Sequence, residues 1–103
     1  MALNRERPHL LVLPEDDATR SIANGFIDAT TGQMQVLNPV RGWPNVLHQF
    51  EVDHVIQLRK YRHRHLVLLI DFDDEYPNRL TYFQSAIPKD VEDRVYVLRH
   101  LPG

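Results

Sequence analysis

The chain has 103 residues, no cysteine and a formal net charge of −2. This length fits one domain with a single core, and the lack of cysteine excludes disulfides, thiolate metal sites and cysteine nucleophiles. The charge excludes a globally basic surface for nucleic acid, and no apolar run is as long as the ~18 residues of a membrane span. We therefore expect a soluble, cytoplasmic, single-domain protein over 1–103, with 1–8 as a loose arm.

The first part of the chain is predicted to form two strands and an intervening helix. HLLVLPE (9–15) is a short apolar run ended by a proline, which is typical of a buried strand. DATRSIANGFID (17–28) carries apolar residues at helical spacing after Asp17, a residue type that caps helices. MQVLNPV (34–40) predicts the second strand, because it follows the turn signal TTGQ.

The second part is predicted to form helix, strand, helix and strand. From Trp43, with Pro44 suited to a first helical turn, the apolar spacing predicts one helix or two short ones. HLVLLIDF (65–72) predicts the central strand, because it is apolar on both faces. NRLTYFQSAI (78–87) predicts a helix, and RVYVLRH (94–100) predicts the fourth strand. The apolar helical positions are Val46, Leu47, Phe50, Val55, Ile56, Leu58, Leu80, Tyr82, Phe83 and Ile87.

The alternation of these elements favours an α/β fold. A β-α-β-α-β-α-β order predicts a four-stranded, mostly parallel sheet with helices on both faces, a three-layer Rossmann-like arrangement. In such a sheet all strands end at one edge, which is where ligands bind.

Acidic residues follow two of the predicted strands. If strands one and three are neighbours, their carboxylates converge at the carboxyl edge, where they repel one another. A hard divalent cation relieves that repulsion through oxygen ligands, and Mg²⁺ is the usual choice when phosphate is also present. Each segment alone is explained by helix capping, but both at one edge predict a cation site. The residues concerned are Glu15, Asp16, Asp17, Asp71, Asp73 and Asp74.

Basic residues are predicted at both edges of the sheet. Arg41 and Arg99 follow or end strands two and four, so they are the predicted phosphate-binding residues, because the arginine fork matches phosphate geometry. RKYRHRH (59–65) precedes strand three, which places it at the opposite edge, and we interpret it as a solvated connector.

The order of the acidic motifs resembles the Toprim domain of topoisomerases, bacterial primases and related nucleases. Glu15 stands where that family has a Glu after the first strand, and DFD, with Asp71 and Asp73, stands where it has Asp-x-Asp. The segments LPEDDATRSIANGF and LLIDFD are also similar to small uncharacterised bacterial proteins of the Toprim type. The family's glycine beside the Glu is absent here, which leaves open whether Glu15, Asp16 or Asp17 faces the site.

The resemblance implies a metal-dependent nuclease-like activity on phosphodiesters. Asp71 and Asp73 would hold Mg²⁺ or Mn²⁺, and Glu15 would be a further ligand or the catalytic general acid/base. The expected partner is a nucleic acid or nucleotide.

Two other interpretations share these residues. A receiver-like domain would use Asp16 and Asp17 to bind Mg²⁺ and Asp71 as phosphoacceptor, although the lysine in IPKD then follows a helix rather than a strand. A non-catalytic module on the same fold would bind nucleotide or protein, since fold does not imply function. Whichever interpretation holds, we expect exposed Val95, Val97 and Leu98 on the last strand to favour a homodimer.

Overall fold

Four parallel strands form a single sheet in the computed structural model, which describes residues 7–17, 33–70 and 76–99. They are β1 (His9–Pro14), β2 (Met34–Val36), β3 (Arg64–Ile70) and β4 (Val95–Arg99), in the order β2-β1-β3-β4. All three pairings are parallel, so every strand ends at the same edge. The mixed α/β class and the parallel sheet are confirmed.

A long helical segment connects β2 to β3. It consists of α1 (Trp43–Gln49), a π-helical turn (Phe50–His54) and α2 (Val55–Lys60), and the backbone stays right-handed across both junctions. The segment is therefore one interrupted helix, and it begins with a proline in its first turn as predicted. No helix in the described part of the chain is long and apolar enough to cross a membrane.

Two further helices precede β4. Helix α3 (Tyr76–Ala86) confirms the helix predicted over 78–87, and a 3₁₀ turn (Glu92–Arg94) leads into the strand. The helix predicted over 17–28 lies outside the described residues apart from Asp17.

Both faces of the sheet are apolar and buried at its centre, which suits a three-layer fold. On one face, the sheet packs against α1, α2 and α3 through side chains that include Leu68, Phe50 and Phe83. On the other face, Val12, Val67 and Leu69 form a second buried cluster. Burial on both faces explains why β3 reads as a continuous apolar run rather than an alternating one.

Strand β2 is shorter than the predicted strand over 34–40. Pro39 has no N–H for a ladder, so regular pairing ends at Val36. The chain nevertheless follows β1 to its end, because the N–H of Leu37 bonds to the Val12 carbonyl at 2.8 Å and that of Val40 to the Pro14 carbonyl at 3.2 Å.

Some apolar side chains that were predicted to face the core are exposed, and some that were predicted to be exposed are buried. Ile56 and Tyr82 were expected on apolar helix faces but are 62% and 59% exposed. On β4, Val95 is buried and Val97 partly buried against the helical layer, whereas Leu98 is 50% exposed. Successive strand residues point to opposite faces, so only part of the predicted exposed patch exists.

The segment 59–65 is not a simple solvated connector. Arg64 is only 8% exposed: its Nε donates to His9 Nε2 at 3.1 Å, and its guanidinium lies 4.7 Å from the Tyr61 ring centroid. Arg59 forms a two-pronged pair with Asp90, with nitrogen–oxygen distances of 2.8 and 3.2 Å. His9 and Asp90 come from distant parts of the chain, and a local charge pattern does not reveal such partners.

Candidate functional site

The carboxyl edge of the sheet carries the first acidic motif. Pro14 is opposite Leu69 in the β1–β3 ladder, and the N–H of Glu15 continues the ladder to the Leu69 carbonyl at 3.0 Å. The backbone of partly buried Glu15 is therefore fixed where β1 leaves the sheet. The condition that strands one and three are neighbours is met.

Arg41 lies at this same edge. The bond from Val40 to Pro14 brings the chain beside the end of β1, and Gly42, with φ of 84°, turns it into α1. This φ is readily adopted by glycine but rarely by other residues. Arg41 Nη2 is 3.5 Å from Asp17 Oδ2, and both side chains are exposed. An ion pair this exposed adds little stability, so Arg41 is available to exchange its partner for another anion.

The other predicted site residues are only partly placed. Arg99 ends β4 opposite Ile70, which puts its backbone at the carboxyl edge. Asp71 and Asp73, the predicted metal ligands on strand three, lie outside the described residues. Within the ranges that are described, no three His, Asp or Glu side chains are grouped as ligands of one metal ion.

An aromatic cluster joins α1 to α3 near this edge. The Trp43 ring meets the Tyr82 ring edge-on, with centroids 5.8 Å apart and an interplanar angle of 73°, and also contacts buried Phe83. The Arg79 guanidinium carbon lies 5.4 Å from the Trp43 ring centroid. The sequence placed Trp43 at the start of a helix and Tyr82 on an apolar helix face, without predicting their contact. The spacing of Arg79, Tyr82 and Phe83 on one helical face was the signal that could have revealed the cluster.

A second polar cluster lies at the opposite, amino edge. Buried His9 accepts from Arg64 through Nε2, and its Nδ1 is 3.0 Å from the Arg7 carbonyl, so the ring is neutral with its proton on Nδ1. Nearby, a groove of about 460 Å³ is lined by Gln35, Asp53, His54 and Arg64 together with apolar side chains. Burial, with a smaller contribution from the Arg64 charge, lowers the pKa of His54 below its usual 6.5. This cluster is separate from the predicted cation site.

Comparison of the chain with protein-family models, with curated proteins and with solved structures finds no match. The resemblance to the Toprim domain therefore rests on the sequence positions of Glu15, Asp71 and Asp73.

Proposed function

We propose that this chain is a metal-dependent phosphodiester-processing domain of the nuclease type, with its site at the carboxyl edge of the sheet. The observation that carries the proposal is the direct pairing of β1 with β3. Glu15 leaves the sheet beside Leu69, and Asp71 is the residue that follows Ile70 in the chain. Two acidic motifs far apart in sequence thus follow adjacent strand ends.

The distances available at this edge suit a shared cation. Adjacent strands lie about 4.8 Å apart and consecutive Cα atoms about 3.8 Å apart. Carboxylate side chains that follow two paired strands are therefore within reach of one ion whose oxygen ligands lie at about 2.0–2.6 Å. The donor set is oxygen only, which suits Mg²⁺ or Mn²⁺.

Each group has a defined role in this proposal. Asp71 and Asp73 hold the cation, which neutralises phosphoryl oxygens and positions the attacking water. Glu15 is a further ligand or the general acid/base. Arg41 releases Asp17 to bind a phosphate, and Arg99 is the second candidate phosphate-binding residue.

A non-catalytic nucleotide- or protein-binding module on the same fold is the second candidate function. The Asp17–Arg41 ion pair favours it, because the side chain proposed for phosphate already has a carboxylate partner. The net charge of −2 also provides little general attraction for a polyanion.

The test measures metal binding and cleavage separately. Titration calorimetry with Mn²⁺ is expected to show binding to wild type and its loss in Asp71→Ala. With Mn²⁺, wild type should nick plasmid or cleave single strands, Glu15→Gln should bind metal without cleaving, and Arg41→Ala should weaken substrate binding. Glu92→Gln, an exposed acid that precedes β4, is the matched control and should behave as wild type. Metal binding without cleavage of any nucleic acid favours the binding module, and no metal binding contradicts the shared site.

We also propose that the protein forms a homodimer through β4, where Leu98 is exposed beside the sheet.

A further inference from the structure

A groove separates α3 from the π-helical turn on the outer surface of the helical layer. Its volume is about 360 Å³, and its lining is one aromatic ring among mostly polar side chains. The lining residues are Glu51, Asn78, Thr81, Tyr82, Ser85 and Ala86.

Tyr82, the aromatic residue that lines this groove, is supported by the aromatic side chains packed beneath it. Tyr82 is 59% exposed, but its ring packs edge-on against Trp43, and Trp43 in turn packs against the fully buried Phe83. The Arg79 guanidinium lies over the Trp43 ring. An exposed ring supported in this way offers an aromatic surface at the groove with little loss of side-chain freedom on binding.

The polar side chains of the groove match the edge of a nucleobase. Asn78 offers both amide donors and a carbonyl acceptor, and Glu51 offers carboxylate acceptors. Ser85 is committed to the protein, because its hydroxyl donates to the Thr81 carbonyl at 2.8 Å. Asn78 and Glu51, which lie on different elements, are the side chains best suited to a base edge, with Tyr82 alongside them.

One end of the groove is close to the carboxyl edge of the sheet, and the other reaches the last residues of α3. Trp43 is the first residue of α1, two positions after Arg41, and α3 begins at Tyr76, soon after Ile70 ends β3. At about 1.5 Å of rise per residue, Tyr82 lies only about 9 Å along α3 from its start. A single-stranded nucleic acid bound at the carboxyl edge can thus place a neighbouring nucleotide over the groove.

We propose that this groove binds an unpaired nucleobase of a single-stranded nucleic acid, which stacks on Tyr82 and hydrogen-bonds to Asn78 and Glu51. Stacking on aromatic rings is the common mode of single-strand recognition, because every base has a π face. A paired base cannot enter, since its hydrogen-bonding edge and faces are occupied. The inference rests on the proposed function for its link to cleavage, but base binding is measured without it.

The experiment measures binding of a fluorescently labelled single-stranded oligonucleotide by anisotropy, at low salt and with a chelator to remove divalent metal. Wild type should bind, and its single tryptophan, Trp43, should change in fluorescence because it contacts Tyr82. Tyr82→Ala should weaken binding by between about fivefold and about a hundredfold, the range expected for loss of one stacked base. Tyr82→Phe should keep wild-type affinity, since the π face remains.

Tyr96→Ala is the matched control, because Tyr96 is also an exposed tyrosine but lies on β4, stacked on His65. It should bind like wild type, and thermal melting should show that Tyr82→Ala is folded. Equal affinity of the Tyr82→Ala and Tyr96→Ala variants, absence of binding by wild type, or equal competition by duplex and single strand would each overturn the proposal.

Cleavage assays separate this inference from the proposed function. If wild type binds single strands through Tyr82 but never cleaves them with Mn²⁺, the base-binding proposal is supported and the nuclease proposal fails. If wild type cleaves and Tyr82→Ala binds and cleaves equally well, the nuclease proposal is supported and the base-binding proposal fails.

Discussion

His54 shows how one buried side chain makes folding stability depend on pH. Its Nε2 atom is buried and has no hydrogen-bond partner among the residues that the structure describes. Burial, assisted by the nearby charge of Arg64, lowers its pKa, while Asp53 opposes the shift. Because the folded protein holds this proton less tightly than the unfolded chain, the unfolded state binds more protons below pH 6.5. The stability contribution is therefore complete above that pH and is lost as the pH falls towards the lowered pKa.

We expect urea denaturation to show lower stability at about pH 5 than at about pH 7 in wild type, and a smaller difference in His54→Met, which cannot titrate. Methionine also removes an unsatisfied buried nitrogen, so the variant should be no less stable than wild type near neutral pH. The control is His63→Gln, an exposed histidine in the preceding loop of β3. The same reduction in both variants would contradict this role of His54.

Arg94 is a second residue whose contacts predict a measurable effect. Its Nη1 donates to the carbonyls of Tyr61, Arg62 and Arg64 at 3.0, 3.2 and 3.2 Å, which holds the turn before β3 against the turn before β4. We expect Arg94→Ala to lower the free energy of unfolding by roughly 1.5–3 kcal/mol, the range for hydrogen bonds to a charged group.

Arg94→Lys should recover part of that loss, because its ammonium is also a single charged nitrogen with N–H donors for these carbonyls. Arg59→Ala is the comparison, since its pair with Asp90 lies at the surface with both side chains about half exposed, and its effect in the same denaturation experiment should be clearly smaller. An Arg59 variant as unstable as the Arg94 variant would show that these carbonyl contacts are not significant.

At the scale of elements, the π-helical turn decides which helix face reaches the core. The N–H of Val55 bonds to the Phe50 carbonyl, five residues back, so one extra residue is accommodated within the turn. Phe50, Val55 and Leu58 are all buried as a result. A regular helix would instead turn the positions three and four residues after Phe50, which are Asp53 and His54, towards the core.

Deletion of Val52 should therefore be tolerated. It shortens the spacing from Phe50 to Val55 from five residues to four, which a regular α-helix places on one face, so Phe50, Val55 and Leu58 still reach the core. Insertion of an alanine after Val52 should instead rotate Val55 and Leu58 away from the core, at a cost of at least about 2–5 kcal/mol. Circular dichroism and urea denaturation compare the two variants, and a deletion variant as unstable as the insertion variant would refute the role of the extra residue.

At the scale of the whole molecule, the proposed cation site predicts a stability effect of metal. Carboxylates gathered at one edge repel one another, and an ion that binds only the folded state stabilises it. Mn²⁺ at 100 times its dissociation constant should add about 2.7 kcal/mol to the free energy of unfolding.

Thermal melting with and without Mn²⁺ measures this shift. Asp71→Asn should lose it, and Asp73→Asn should lose it while melting higher than wild type without metal, because it relieves repulsion. Glu92→Gln should keep the wild-type shift. A shift of equal size in all four proteins would indicate binding elsewhere, and an Asp73→Asn variant that melts lower without metal would assign that carboxylate a capping role.

Association is the other property of the whole molecule that can be tested. Leu98 is half exposed on β4, the strand at one end of the sheet order, so pairing of two copies through this strand would cover it. Light scattering is expected to show a dimer that Leu98→Lys converts to monomer. Wild type that remains monomeric at high concentration would contradict the homodimer.

The sequence by itself determined the four strands, the helices found in the described part of the chain and the class of fold. Apolar runs of strand length alternate with helical spacing, and this local pattern was enough to predict four strands, the helix that starts at Trp43, and a parallel sheet. The position of Glu15 after the first strand also followed from sequence, because a strand end is a local feature.

Only the tertiary structure decided which elements meet. The β2-β1-β3-β4 order, the burial of Arg64 against His9 and the contact of Trp43 with Tyr82 each join residues distant in the chain. The spacing of apolar residues shows which side chains of a segment share a face, but it does not show which distant segment packs against that face. The groove beside Tyr82 and the pairing that brings Glu15 next to the end of β3 were therefore visible only once the chain was folded.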